Sequence, residues 1–189
     1  MSALLTGSQT VGPYFAIGLS DLCSSDVASD SLSDKVVVEG QLLDCNGVPI
    51  PDGFIEVWQA NANGQYATGG PANAAHEANG FARISTSPAG SFRFTTIKPG
   101  PVPYDSFRMQ APHLLILVYM RGLLRNLVTR LYFPDDPANS SDPILQLVPV
   151  DRRSTLIAQA GSGPGILHWD IVMRDQESTT KKETVFFAW

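Results

Sequence analysis

From Lys35 onward the chain alternates. "KVVVEGQLLD" sets aliphatic against polar residues, and after the turn "CNGVPIPDG" the pattern resumes in "FIEVWQANA". A period of two places successive side chains on opposite faces, as in a strand buried on one side. The clearest hairpin is "FARISTSPAGSFRFTTI", where alternating runs flank Ser87-Pro88-Ala89-Gly90, with proline early and glycine late in the turn. Further strands are predicted over His113–Met120, Asn126–Phe133, Leu167–Met173 and Glu183–Ala188, and one short helix around Asp151–Gln159 with Asp151 placed to cap it. Many short strands, punctuated by 14 prolines and 16 glycines, predict an all-β fold: an antiparallel β-sandwich with an N-terminal arm and one short helix. No internal repeat points to a solenoid.

Before Lys35 the text changes. "SDLCSSDVASDSLSD", residues 20–34, has neither a strand nor a helical period and reads as a surface loop. The preceding "SQTVGPYFAIGL" joins a Gly-Pro turn to aromatic and aliphatic residues, a composition suited to docking rather than fraying. The expected organisation is therefore an arm and loop at 1–34 and a β-sandwich domain at 35–189.

Charged residues make up only 16% of the chain, against roughly 25% in ordinary soluble domains. A wide interface with another chain would account for the shortfall. The net charge of -5, without a dense Lys/Arg cluster, argues against nucleic acid as a partner. The longest apolar run, Leu114–Met120, is too short for a membrane-spanning helix of about 20 residues, and the N-terminus has no basic signal region, so no membrane partner is expected and the chain reads as cytoplasmic. Cys23 and Cys45 could form one disulfide, but two free thiols in a reducing compartment are expected.

Candidate chemistry is sparse. The histidines are His76, His113 and His168, and no His-x-His or Cys-x-x-Cys spacing nucleates a metal site. Taken alone, His113 reads as a polar residue at a strand start. Gly161-Ser162-Gly163 lacks the strand-to-helix elbow of a hydrolase nucleophile and reads as a turn.

Several stretches, in order, tell more: "SQTVGPYF", "EGQLLDCNGVPIPDGFIEVWQANANGQY", "GSFRFTTIKPGPVP", "APHLLILVYMRG", "TRLYF" and "ETVFF". Together, from about Ser8 to Trp189, they resemble the intradiol ring-cleaving dioxygenases. That resemblance implies a non-haem ferric ion held by two tyrosines and a His-x-His pair, whose members face the same side of one strand. Here Tyr66 matches the first tyrosine and His113 the first histidine, whereas Val102 stands at the second tyrosine and Leu115 at the second histidine. Gln110 stands where the family places an arginine.

With half of the donors replaced, this chain resembles the ligand-depleted subunit of a two-chain member of the family. The resemblance then implies a homologous partner chain that binds Fe(3+), no metal in this chain, and insertion of O2 between the hydroxyl-bearing carbons of protocatechuate (3,4-dihydroxybenzoate) in aromatic catabolism. It also implies that Thr10, Gly12, Pro13, Tyr14 and Arg130 line the partner's substrate pocket, with no catalytic residue in this chain. Gly12 lets the backbone come close and Pro13 fixes its direction, while Tyr14 offers an aromatic wall. Arg130 suits a carboxylate. It reads equally as a structural salt bridge, and Tyr14 can also be interface packing. A different reading, a non-catalytic transthyretin-like binding module, would use the same strand-turn-strand grammar of "DCNGVPIPDGFIEV".

Overall fold

The computed structural model describes residues 9–10, 12–27, 35–67, 80–134, 136–173 and 182–188; His76 lies outside them. The strands are β1 (Lys35–Leu43), β2 (Phe54–Trp58), β3 (Phe81–Ser85), β4 (Ser91–Ile97), β5 (Val102–Pro103), β6 (Met109–Gln110), β7 (His113–Tyr119), β8 (Leu127–Tyr132), β9 (Gln159–Ala160), β10 (Ile166–His168) and β11 (Ile171–Val172). One sheet runs β3-β2-β7-β8 and is antiparallel throughout. In the other, β1 pairs antiparallel with β4, while β10 and β11 add to its opposite edge. β5 and β6 form a small separate hairpin.

The alternation seen in the sequence closes the sandwich. Val38 and Leu42 of β1 and Phe92 and Phe94 of β4 face Ile55, Val57, Ala82, Ile84, Leu114, Ile116, Val118 and Leu131 of the other sheet in one buried cluster. Each such aliphatic or aromatic side chain contributes about 1.5–3 kcal/mol when fully buried. The predicted hairpin forms as β3 and β4, but its strands belong to different sheets, so Ser87–Gly90 turns the chain across the sandwich.

The expected β-sandwich forms with mostly antiparallel pairing, and the sequence did not show that β10 and β11 join it parallel to β1, with Val37 opposite Ile166 and Leu42 opposite Ile171. Strand alternation is the same in either direction. Only the long excursion between β8 and β10 lets the chain return in parallel. The ladder breaks at Trp169-Asp170, where Trp169 N–H donates to the Glu39 carbonyl and the Asp170 carboxylate accepts from Gln41 N–H at 2.9 Å. This crossing requires Gly40, since a Cβ there would lie 1.8 Å from the Trp169 carbonyl oxygen.

Other local expectations shift as well. Asp151–Gln159 is not an α-helix. Val150–Leu156 forms tight 3₁₀ turns with Pro149 at the cap, no side-chain cap bond, and Leu156 inserted into a second core. The Arg153 side chain holds these turns by donating to the Val148 and Gln146 carbonyls. The α-helix of the described residues lies in the arm instead, as α1 (Gly12–Leu19). Glu183–Ala188 contributes only a bridge between Phe187 and Val128 rather than a strand. Within the expected surface loop, Ser24 and Asp26 bridge to Arg83 and Thr95 and Val27 is buried, so this stretch is stitched onto both sheets. Cys23 and Cys45 are not joined in a disulfide. No helix among the described residues is long and apolar enough to cross a membrane.

Candidate functional site

Alternation along β7 sends Leu114, Ile116 and Val118 into the core, leaving His113 and Leu115 on the outer face of the sheet. Register then decides their neighbours. Tyr132 lies opposite His113, and Arg130 lies directly opposite Leu115, with Trp58 on its other flank. The 3₁₀ segments after β8 and the C-terminal stretch pack over this end of the face, around Ala111, Tyr132, Leu145, Val148 and Leu156.

The loop that carries Tyr66 is held by Asn61. Its side-chain oxygen accepts from Asn63 N–H and Gln65 N–H at 2.9 and 3.0 Å, and its carbonyl accepts from Gly100 N–H at 2.9 Å. That last bond ties the loop to the segment entering β5. Tyr66 is 48% exposed; burial of its ring pushes the phenol up from its ordinary pKa, and the Arg130 charge pulls it partly back.

His113 is only 5% exposed. Its Nδ1 lies 2.7 Å from the Ala111 carbonyl, which can only accept, so Nδ1 carries the proton and Nε2 is bare. Burial first, then the Arg130 charge, depress its pKa to about 4, against a lesser opposing pull from the Ala111 bond and Asp142. The imidazole is neutral at pH 7. Burial likewise raises Tyr132 far above the usual phenol range, so it acts as a neutral donor, and its hydroxyl donates to Asp142 Oδ1 at 3.0 Å.

Asp142 is fully buried and also accepts from Ala111, Ile144 and Leu145 N–H at 2.7, 2.9 and 2.7 Å. It therefore fixes both the 3₁₀ turn and the strand entry that carries His113. The sequence reading missed this residue. Its place before Pro143 signalled a turn, but nothing local signalled its burial.

Arg130, read from sequence equally as a substrate-facing or a structural residue, is buried to 5% exposure in the same cluster. Its Nη1 donates to Gln110 Oε1 at 2.8 Å and lies 3.5 Å from the Tyr132 hydroxyl, while its buried Nε has no partner. Gln110 is anchored in turn by donating to the Pro103 carbonyl at 3.0 Å. Gln110 of β6 and Arg130 of β8 are thus joined side chain to side chain.

The structure brings Tyr66, Gln110, His113 and Arg130 into one electrostatic neighbourhood. Val102 is buried opposite Gln110 in the β5–β6 hairpin, and Leu115 faces Arg130. These residues do not fit a ferric ion. Two of the expected donors are hydrocarbons, and a buried guanidinium with an orphaned N–H occupies the neighbourhood. No three His, Cys, Asp or Glu side chains converge elsewhere among the described residues.

The arm positions lie apart from this centre. Thr10 Oγ1 accepts from Gly122 N–H at 2.8 Å, at the far end of β7 from His113. Leu115 and Met120 alone are separated by roughly 15 Å of extended chain. Gly12 has φ +66° and opens α1, on which Pro13 and Tyr14 follow, and Tyr14 is 81% exposed. Within this chain, Thr10, Gly12, Pro13 and Tyr14 therefore do not share a pocket with Arg130.

Comparison with known proteins agrees with this architecture. The dioxygenase family pattern matches residues 12–174. The protocatechuate 3,4-dioxygenase alpha chain of Burkholderia cepacia is 37% identical over 96% of both chains. The corresponding beta chain from the same organism is 33% identical over 92% of this chain and 77% of its own. Among solved structures, the dioxygenase domain of a dioxygenase carbohydrate-binding fusion from Streptomyces sp. SirexAA-E superimposes with a TM-score of 0.62 at 25% identity, covering 79% of this chain and 86% of that one. These matches favour the dioxygenase resemblance over a transthyretin-like module. With its sandwich, its outer-face cluster and these relatives, the chain belongs to the intradiol ring-cleaving dioxygenase family.

Proposed function

We propose that this chain is the iron-free alpha subunit of a protocatechuate 3,4-dioxygenase, assembled with a homologous beta chain that holds Fe(3+). The observation that carries this reading is the outer-face centre, where Val102 and Leu115 replace donors and a buried guanidinium lies beside Tyr66 and His113. The partner's ferric ion would make a bound catecholate electron-rich enough to react with O2, which enters between the two hydroxyl-bearing carbons.

This chain's contribution is binding surface. α1 reads "GPYFAIGL", with no charged residue, and Tyr14 and Ile17 are exposed on it. An apolar helix of this kind asks for a covering partner. Thr10, Gly12, Pro13 and Tyr14 are thereby proposed to reach the partner's pocket. Arg130 is proposed as the group that answers a carboxylated substrate, because its unpartnered Nε can still donate. The arm and Arg130 meet one substrate only if the pocket spans both ends of the β7–β8 ladder, so their variants should separate. Two cysteines not joined in a disulfide suit a reducing cytoplasm.

Co-expression with a beta-type chain tests the assignment. The expected result is a stable complex with about one iron per pair of chains, active on protocatechuate, while this chain alone is colourless, iron-free and prone to aggregate. A monodisperse isolated chain with a tyrosinate-to-iron absorption band and ring-cleaving activity would refute it.

A further inference from the structure

We infer that Arg130 is the resident cation of this chain's own centre and closes it to metal ions by charge, in addition to the loss of donors at 102 and 115. The inference rests on the reading of Tyr66, Val102, His113 and Leu115 as a depleted metal site.

Three observations carry it. First, β7–β8 register sets Arg130 directly across from Leu115, so a donor restored at that position would emerge beside the guanidinium, with Cβ atoms about 4.5–5.5 Å apart. Second, the cation is fixed there. Nη1 is held by Gln110, itself held by Pro103, and the residue is only 5% exposed, so the charge is anchored in this centre. Third, no carboxylate among the described residues bonds the guanidinium directly. The buried Nε has no partner, and Asp142 bonds the Tyr132 hydroxyl and the Ala111, Ile144 and Leu145 amides rather than Arg130.

A tyrosine deprotonated here would find a guanidinium counter-ion already in place. Against the guanidinium alone, each positive charge of an incoming metal about 4 Å away is disfavoured on the order of 1000-fold at the effective dielectric of a protein interior, and the Asp142 carboxylate offsets part of this.

The test rebuilds the donors and then varies the charge. Val102→Tyr and Leu115→His are introduced together into the full-length chain. That background is combined with the natural Arg130, with Arg130→Lys, or with Arg130→Gln. Each protein is loaded with iron in air and its iron per chain measured, alongside the tyrosinate-to-iron absorption band. Where the partner is needed for solubility, the iron of the complex containing the natural chain is subtracted.

The expected result is that the two cationic versions stay essentially iron-free while the Arg130→Gln version approaches one iron per chain. Equal loading in all three overturns the inference, whether all bind or none does. Iron in the unaltered chain would instead refute the proposed function, so the two failures are distinguishable. Should the rebuilt proteins not fold, Cu(II) titration of the natural chain against its single Arg130→Gln and Arg130→Lys variants decides. At least about 10-fold tighter binding in the Gln variant alone supports charge exclusion, and equal affinities in all three overturn it.

Discussion

Acid should destabilise this protein through His113 before its paired carboxylates protonate. In the folded chain the imidazole has a pKa of about 4, because burial and then the Arg130 charge disfavour its protonated form; in the unfolded chain it returns to the ordinary 6.5. Between these values the unfolded state binds a proton that the native state refuses, so stability rises with pH and is lost as pH falls from about 6.5 to about 4. Below about 4 both states are protonated and the loss from this group stops. The gap corresponds to roughly 3 kcal/mol in full, of which about 2 kcal/mol is lost between pH 7 and pH 5. Urea unfolding at steps from pH 7.5 to 4.5 measures it, with His113→Asn as the reference, since the Asn amide can still donate to the Ala111 carbonyl. The natural protein should lose stability more steeply than the variant through this window. Parallel pH profiles for the two proteins would refute the argument.

Gly40→Ala should destabilise the fold by about 3 kcal/mol or more, because the new Cβ would collide with the Trp169 carbonyl; an unchanged thermal midpoint would contradict the close crossing. Asp142→Ala strips the acceptor from four donors, the buried Tyr132 Oη, Ala111 and Leu145 amides and the part-buried Ile144 amide, and should cost about 3 kcal/mol or more, with faster hydrogen exchange at those amides as the local check. In the assembled enzyme, Tyr14→Ala should raise KM for protocatechuate without changing iron content. Arg130→Ala should weaken the preference for a carboxylated over a plain catechol. Unchanged KM and preference in both variants, in a normally assembled complex, would leave this chain as scaffold alone.

Much of the fold was legible because strand alternation is local. The runs at Lys35, Phe54, Phe81, Ser91, His113 and Asn126 each became strands, although Phe54–Val57 of β2 and Thr129–Tyr132 of β8 are buried on both faces. Where that logic failed, the deciding partner was distant. Asp151–Gln159 had a reasonable helical start, but Leu156 had to reach the second core and tight 3₁₀ turns delivered it. α1 was hidden because its eight residues show no polar face, so no helical period distinguished them from a docked extended arm. Parallel pairing of β10 and β11 was invisible for a simpler reason: side-chain alternation carries no direction.

For the proposed depleted centre, sequence by itself determined the residue types: the family resemblance assigns Tyr66, Val102, His113 and Leu115 to donor positions, and two of the four carry hydrocarbon side chains. Tertiary structure alone decided which charge stands beside those positions. Arg130 and Gln110 are twenty residues apart, and their bond depends on the register of β7 with β8 and on the β5–β6 hairpin. A one-residue slip of β8 would turn Arg130 to the other face. The charge of this site is therefore a property of strand register, set by how the whole sandwich buries its inner face, and no local run of sequence encodes it.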